Sequence, residues 1–228
     1  MPEELRRELD RLRGEHAEAR EQSLRDSLTA SYNRRYLDQR LDHLVAAERT
    51  GIAVAIVDLD FFKQVNDTHG HHIGDQVLQR VVQILQEDLP DSAFCARYGG
   101  EEFVLVMPDI RAGAAVGVCE AARARVEHHS WSQVASGLTV TVSVGVAHRD
   151  LTRSQFRAEP ERRMSGVSTL LRSADHLLYQ VKQSGRNAVA YRSGDWVVLA
   201  GMARHRRGQP GAAHSASGSA KGLLPPAG

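Results

Sequence analysis

The sequence has few of the features that mark secreted, zinc-binding or membrane-spanning proteins. Only two of its 228 residues are cysteine. Cys95 and Cys119 form no Cys-x-x-Cys pair, which argues against a disulfide framework or a zinc site. No apolar run approaches the ~20 residues of a membrane span, and the charged start lacks a signal-peptide core. These absences predict a cytoplasmic protein without membrane insertion.

The chain also lacks an excess of either charge. It contains 29 Lys and Arg against 28 Asp and Glu, a formal net charge of +1. No overall field would therefore hold it on nucleic acid or an anionic membrane, so any anionic ligand must be bound by a local group of side chains. The length suits one domain of ordinary size with short appendages.

Residues 3–25 are rich in Glu, Arg and Leu, with apolar residues at helical spacing. This pattern predicts a helix with one narrow apolar stripe that weakens after Leu12. A short coiled coil, the end of a longer signalling helix and a solvated lead-in helix all fit it, since coiled coils usually continue for ~3 or more heptads.

The rest of the chain alternates between helical and strand patterns. Helices are predicted at 37–47, 74–90, 111–128 and 167–183, strands at 52–60, 138–147, 188–192 and 196–200, and a hairpin at 93–107. Residues 149–166 read as a loop, and residues 201–228 as a disordered tail. The pattern predicts an α+β fold, an α/β sandwich with helices on a mixed sheet.

The stretch YGGEEF at 98–103 interrupts the hairpin with two glycines and two acids. If its strand lies beside the strand that ends at Asp58 and Asp60, Asp58 and Glu101 converge. Such carboxylates repel unless a cation lies between them, and Mg²⁺ takes carboxylates together with phosphates. Gly99 and Gly100 would let a phosphate approach the backbone. A surface turn with solvated acids is the alternative.

A second polar cluster follows the strand, with Lys63, Asn66, His71 and Asp75 within a short connection. Lys63 can neutralise phosphoryl charge, and an Asn with an Asp can match the edge of guanine. The alternatives are a turn at 66–67 and a helix cap at Asp75.

Two further groups of residues have competing interpretations. His69, His71 and His72 lie in a predicted Gly-flanked loop, and their spacing fits zinc poorly. Lys182 and Arg186 would clamp phosphates or complement the C-terminus of their helix.

Taken together, five ordered motifs resemble the GGDEF family of diguanylate cyclases; they occupy residues 26–37, 58–75, 97–103, 142–147 and 174–187. The resemblance covers roughly residues 26–191. It implies a palm-like, mixed five-stranded sheet flanked by helices, and condensation of two GTP into cyclic di-GMP. It also implies three parts: a helical or coiled-coil linker at 1–25, the GGDEF domain at 26–192, and a terminal strand with a low-complexity disordered tail at 193–228.

Matching positions imply the catalytic and metal-binding residues. Asp58, Glu101 and the carbonyl of Leu59 would hold Mg²⁺, with Mn²⁺ as the alternative cation. Glu101 would also act as the base near the attacking hydroxyl, Glu102 would lie at the metal and γ-phosphate end, and Lys63 would stabilise phosphate charge.

The same positions imply the substrate-binding residues, which are Phe61, Phe62, Asn66, His71, Asp75, Gly99, Gly100, Lys182 and Arg186. Asn66 and Asp75 would read guanine, with His71 nearby. Lys182 and Arg186 would hold the terminal phosphates. Phe61 and Phe62 would supply backbone amides, with their rings packed in the core.

The resemblance also implies a homodimer, because each half-site would hold one GTP. The N-terminal helix is the candidate element for arranging the pair. The chain shows no sensory domain, so we expect a stand-alone cyclase or the output end of a larger protein under an upstream sensory or regulatory partner.

Two motifs depart from the family pattern. The inhibitory Arg-x-x-Asp is replaced by Pro90, Asp91, Ser92 and Ala93, so product inhibition through that site should be absent or weak. The usual Leu-Thr-Gly-Leu has Ala30 in place of its glycine and Ser31 in place of its last leucine.

Two other functions remain open. A degenerate GGDEF module would bind GTP or a protein partner without turnover, although Asp58, Glu101, Asn66 and Asp75 are all present. Another palm-type nucleotidyl transferase would use similar metal chemistry, but the near-neutral chain lacks a basic track for a template.

Overall fold

The computed structural model describes residues 3–46, 51–150, 160–201 and 222–224. The helices are α1 Glu3–Gln22, α2 Arg34–Ala46, α3 Phe62–His69, α4 His71–Gln86, α5 Ala112–His128 and α6 Pro160–Gln183. The strands are β1 Tyr32–Asn33, β2 Gly51–Leu59, β3 Phe94–Arg97, β4 Glu102–Pro108, β5 Val142–Asp150, β6 Val189–Ser193, β7 Trp196–Ala200 and β8 Gly222–Leu224. A short 3₁₀ turn covers Trp131–Gln133.

The strands form one mixed sheet in the order β1-β3-β4-β2-β5-β6-β7-β8. β2 is antiparallel to β4 and β5, whereas β5 is parallel to β6. The predicted α+β class with a mixed sheet is thus confirmed. Over the described residues the sheet has eight strands instead of five, because β1 extends one edge and the β7–β8 pair extends the other.

Helices cover both faces of the sheet, and β2 shows how the core divides. All nine residues of β2 are buried, as its β-branched run predicts. Val57 and Leu59 point towards α3, α4 and α5, whereas Val54 and Ile56 point towards α2 and α6. Since side chains alternate along a strand, Asp58 faces α6. The carboxylate near the end of β2 therefore points towards α6.

Gly145 in β5 allows α6 to pack unusually close to the sheet. A Cβ at this position would meet the carbonyl oxygen of Ala174 and the amide nitrogen of Leu178, both backbone atoms of α6. Only glycine fits this approach. The contact sets the height of α6 above β5, and with it the position of the C-terminal half of the helix.

Several predicted boundaries were wrong. The predicted loop at 149–166 is strand up to Asp150 and helix from Pro160. The strand extends this far because β2 supplies its hydrogen-bond partners, which the polar residues at 149–150 do not indicate. The central part of the predicted loop, 151–159, lies outside the described residues. The predicted tail forms strand β8 at 222–224 against β7. Residues 202–221 and 225–228 of that tail prediction also lie outside the described ranges.

The N-terminal helix is confirmed over Glu3–Gln22. Among the helices in the described ranges, none is both long and apolar enough to cross a membrane.

Candidate active site

The buried strand β2 delivers Asp58 to the edge of the sheet beside the β3–β4 hairpin. In the antiparallel register, Asp58 pairs with Glu102 of β4 and with Ser143 of β5. One residue further, the N–H of Leu59 donates to the carbonyl of Glu101 at 3.4 Å. The end of β2 and the acidic hairpin tip therefore meet, as the motif pattern predicts.

The hairpin tip is held by its own backbone and by Arg97. The N–H of Tyr98 donates to the carbonyl of Glu102 at 2.8 Å. The guanidinium of Arg97 donates to the carbonyl of Gly100 at 2.7 and 3.2 Å, and its other end pairs with Asp26 at 3.1 Å. This arrangement ties the tip to the segment that follows α1. Sequence reasoning missed both Arg97 and Asp26 as supports of the tip.

The glycines of the tip leave room for an acid. A Cβ at Gly99 would lie 2.9 Å from Oε2 of Glu102, so the carboxylate of Glu102 rests over Gly99. Gly100 is exposed, and nothing lies within 4 Å of the place where its Cβ would be. The open backbone at Gly100 suits the approach of an anionic ligand.

Asp58 and Glu101 at this edge have elevated pKa values. Burial raises the pKa of Asp58 and the neighbouring Asp60 raises it further, while the ammonium of Lys182 works in the opposite direction. Burial also raises the pKa of Glu101, and so do the charges of Asp58 and Glu102. A cation between Asp58 and Glu101 would reduce this repulsion and favour the ionised form of both carboxylates.

Two basic residues, one in the last turn of α6 and one in the loop after it, lie near the same acids. Nζ of Lys182 lies 2.8 Å from Oδ2 of Asp58. The guanidinium carbon of Arg186 lies 4.4 Å from the ring centroid of Phe61. Phe62 is buried as predicted, but the prediction that the Phe61 ring packs in the core was wrong, because 55% of Phe61 is exposed. Phe61 adopts a left-handed backbone, φ 56°, which turns its ring outward.

The predicted guanine-binding residues lie on the helix pair that follows β2. Lys63 is exposed near the start of α3, and Asn66 is half-buried in the same helix. A Cβ at Gly74 would clash with Oδ1 of Asn66, so glycine lets α4 approach this amide closely. Gly74 thereby sets the side chain of Asn66 beside the turn of α4 that carries Asp75. Sequence reasoning missed Gly74.

The structure corrects the secondary structure of this second cluster. His69 ends α3 and His71 begins α4, so these histidines are helical, not in a loop. Asn66 lies within α3, which the pattern missed, and Asp75 lies inside α4, which excludes a turn at 66–67 and a cap at Asp75. Across the described ranges, no three His, Cys, Asp or Glu side chains cluster tightly enough to bind a metal alone.

Asp60 has a different role from Asp58. Its carboxylate accepts hydrogen bonds from the hydroxyls of Thr141 and Ser143 at 2.7 and 2.6 Å, and from the N–H of Asn187 at 3.1 Å. The buried carboxylate of Asp60 therefore accepts hydrogen bonds from three donors. It joins the end of β2 to the start of β5 and to the loop after α6, and so acts as a structural anchor.

A small cleft of about 240 Å³ opens beside the acids and is lined by Glu102, Asp175, His176, Leu178, Tyr179 and Lys182. A larger cavity, of about 610 Å³, lies between α5 and α6, with Val116, Leu170 and Tyr191 in its wall. All of its described lining residues fall outside the predicted site, so size alone does not identify the reactive centre.

Sequence comparison gives relatives for most of the chain. The family profile described as "Diguanylate cyclase, GGDEF domain" matches residues 23–188. The response regulator PleD of Caulobacter vibrioides is 38% identical over 190 residues, which are 81% of this chain and 39% of PleD. Diguanylate cyclase A of Treponema denticola is 33% identical over 65% of this chain and 38% of its own length. The chain thus spans about two fifths of these relatives.

Solved structures give the same fold. The coiled coil and GGDEF domain of DgcB from Caulobacter crescentus, in complex with c-di-GMP, matches with a TM-score of 0.68 and 30% identity. The match covers 82% of this chain and 94% of that one. Diguanylate cyclase SiaD of Pseudomonas aeruginosa, in complex with its activator SiaC, has a TM-score of 0.66 and 34% identity, covering 83% and 71%.

Proposed function

We propose, because the chain belongs to the diguanylate cyclase GGDEF domain family, that it condenses two GTP molecules into cyclic di-GMP and releases two pyrophosphates. The observation that carries this proposal is the meeting of two acidic turns. Asp58 is the penultimate residue of β2, Glu101 lies at the hairpin tip, and the Leu59 amide donates to the carbonyl of Glu101 between them. The family's acidic motifs are therefore adjacent in space as well as intact in sequence.

The residues at this edge fit a hard divalent cation. Burial raises the pKa of both Asp58 and Glu101, the charge of Asp58 raises the pKa of Glu101 further, and oxygen donors of this kind suit Mg²⁺, with Mn²⁺ as the alternative. The two carboxylates and the carbonyl of Leu59 would hold the ion. When bound, Mg²⁺ neutralises charge on the triphosphate and on the two acids.

Basic side chains and backbone amides would bind the triphosphate. Lys182 approaches from the end of α6, Arg186 from the loop that follows it, and Lys63 from the first turn of α3. The amides of Phe61 and Phe62 lie at the N-terminus of α3, where a helix favours anions. Gly100 leaves the hairpin backbone open to the phosphates, and Gly99 lies beside it under the carboxylate of Glu102.

Asn66 and Asp75 would select guanine, with His71 nearby on α4. The amide of Asn66 can donate to the guanine oxygen, and a carboxylate can accept from the base nitrogens. Adenine offers the opposite pattern of donor and acceptor at this edge. We therefore expect GTP, and not ATP, to be the substrate.

In the proposed reaction, the 3′-hydroxyl oxygen of one GTP attacks the α-phosphorus of the other. A new P–O bond forms, the bond to the β-phosphate breaks, and pyrophosphate leaves. The hydroxyl proton passes to Glu101, the carboxylate at the hairpin tip, which acts as the general base. Glu102 supports the same end of the site. A second attack in the opposite direction closes the ring.

One chain carries one half-site, so we propose an active homodimer. The helix α1 precedes the catalytic unit, proposed as residues 26–192, and is the element that would arrange the pair. Deleting residues 1–22 should weaken dimerisation and lower specific activity together. Product inhibition through an Arg-x-x-Asp site should be absent or weak, because residues 90–93 lack that motif.

The test is a reaction of purified protein with GTP and Mg²⁺ over a range of protein concentrations, following cyclic di-GMP and pyrophosphate together. Product that rises faster than protein concentration supports a dimer-dependent cyclase. Glu101→Gln should lower turnover about 10²-fold or more while the protein remains folded. Glu87→Gln, at the far end of α4 from His71, is the matched control and should keep wild-type turnover.

A different outcome would favour the second candidate, a degenerate module. GTP bound in a saturable way but unconverted at every protein concentration would overturn the cyclase proposal. The intact acids and guanine-reading residues oppose this candidate. Turnover of ATP at a rate similar to that of GTP would instead point to another nucleotidyl transferase.

A further inference from the structure

Phe61 combines two unfavourable features for a phenylalanine. More than half of it is exposed, 55%, and its φ of 56° places a bulky residue in the left-handed region. An exposed ring gains little free energy from apolar burial, and this φ is rare for an aromatic residue. Neither burial nor backbone preference therefore explains a phenylalanine at this position. Its ring instead stacks against the guanidinium of Arg186, whose central carbon lies 4.4 Å from the ring centroid.

The backbone that carries Arg186 is already anchored. Arg186 and Asn187 are consecutive left-handed residues, with φ of 65° and 47°. The N–H of Asn187 donates to Asp60, and its side chain bonds Arg123 and Glu127 at 2.7 Å each. Arg123 is itself buried, with 5% of its side chain exposed. The loop after α6 is therefore fixed to β2 and α5.

An anchored backbone does not fix the head of an arginine, because four rotatable bonds separate the guanidinium from Cα. The ring of Phe61 supplies this missing constraint. A guanidinium that stacks on an aromatic face keeps the N–H donors at its edge available, and those donors match phosphate oxygens. Residue 61 also lies directly before α3, whose N-terminus attracts anions.

We propose that Phe61 is a positioning residue for the terminal phosphates of the nucleotide. It acts through Arg186: the ring holds the guanidinium in place before the ligand arrives, so less side-chain freedom is lost on binding. This inference rests on the proposed function, which supplies a triphosphate ligand. It assigns to Phe61 a part in recognition by its side chain, in addition to its backbone amide.

The experiment compares Phe61→Ala, Phe61→Leu and Phe61→Tyr in the full chain. Affinities for a non-reactive GTP analogue and for GMP are measured by calorimetry with Mg²⁺. Ala and Leu should weaken binding of the analogue about two- to five-fold, the scale of an exposed cation–π contact, and leave GMP binding unchanged. Tyr retains a stacking face and should bind like wild type. An exposed substitution should leave the melting temperature within about 2 °C of wild type.

A double-mutant cycle tests whether the ring acts through Arg186. In an Arg186→Ala background, Phe61→Ala should have no further effect on the analogue. Additive losses, equal weakening of GMP and the analogue, or a melting temperature that falls with affinity would each overturn the positioning role. Tighter binding of the analogue by Phe61→Ala would also overturn it, since the ring would then withhold Arg186 from the ligand.

The outcomes separate this inference from the proposed function. Wild-type protein that binds the analogue no more tightly than GMP would overturn the positioning role, whatever the turnover. Wild-type protein that makes no cyclic di-GMP, yet shows the selective loss with Phe61→Ala, would overturn the cyclase proposal alone.

Discussion

The ammonium of Lys182 lies 2.8 Å from the carboxylate of Asp58, so α6 supplies a positive charge at the acidic end of β2. The side chain of Asp58 is 9% exposed and that of Lys182 is 34% exposed. In the absence of a metal ion, Lys182 is the cation in contact with this acid. The pair offsets part of the cost of burying the carboxylate close to Glu101.

We expect Lys182→Met to destabilise the metal-free protein by about 1–2 kcal/mol, because Asp58 would lose its counter-charge. Mg²⁺ should then restore more stability to the variant than it adds to wild type. Urea unfolding with and without Mg²⁺ measures both effects. Lys182→Arg keeps the charge and is the control. If Mg²⁺ raises the free energy of unfolding equally in wild type and Lys182→Met, Lys182 and Mg²⁺ do not compensate the same carboxylate, Asp58.

The ion pair between Asp26 and Arg97 predicts an acid-sensitive support of the hairpin. Burial alone would raise the pKa of Asp26, but hydrogen bonds from Thr29 and Arg97 outweigh it and hold the pKa below its usual range. The stabilisation is therefore present above the unfolded pKa of about 3.9 and is lost as pH falls through the lower folded value.

This prediction is checked by urea unfolding between about pH 3 and pH 6, around the unfolded pKa of the acid. Asp26→Asn should be less stable than wild type at the upper end, and the difference should shrink towards the lower end. A constant difference across this range would contradict the assignment. Since Arg97 also holds Gly100, the variant should lower GTP turnover as well.

Gly145→Ala should destabilise the protein by about 3 kcal/mol, because its methyl group would meet the backbone of α6 and not a flexible side chain. The displaced helix should also carry Lys182 away from Asp58 and reduce activity. Gly117→Ala is the control, since it lies exposed in α5 with nothing within 4 Å of its Cβ position. That change should stabilise by about 0.5–1 kcal/mol. Thermal unfolding distinguishes the two.

Ala30 adopts a φ of 57°, a conformation that glycine takes more readily. Ala30→Gly should raise the free energy of unfolding by up to about 1 kcal/mol, as relief of the left-handed strain exceeds the added freedom of the unfolded chain. Ala114→Gly in the exposed part of α5 should instead lower it by about 1 kcal/mol. If both changes destabilise to the same extent, the strain at residue 30 is negligible.

Local patterns predicted much of the fold and the acidic part of the site. The β-branched run of β2 and the apolar spacing of α4 and α5 depend on neighbouring residues, so they can be read from the chain. The helix α3 was missed because it is short, with eight residues, and because most of them are polar. The end of β5 was missed because its pairing with Gly51 and Ile52 comes from a distant strand.

The family, the order of its motifs and the acids of the GGEEF hairpin can be identified from the sequence, because these are properties of consecutive residues. The different roles of two nearby acids, in contrast, depend on tertiary packing. Asp60 turns past the end of β2 and meets Ser143 and Asn187, whereas Asp58 faces α6 and meets Lys182. Those partners come from distant parts of the chain, and only packing of α6 against β5 brings them to the same edge of the sheet.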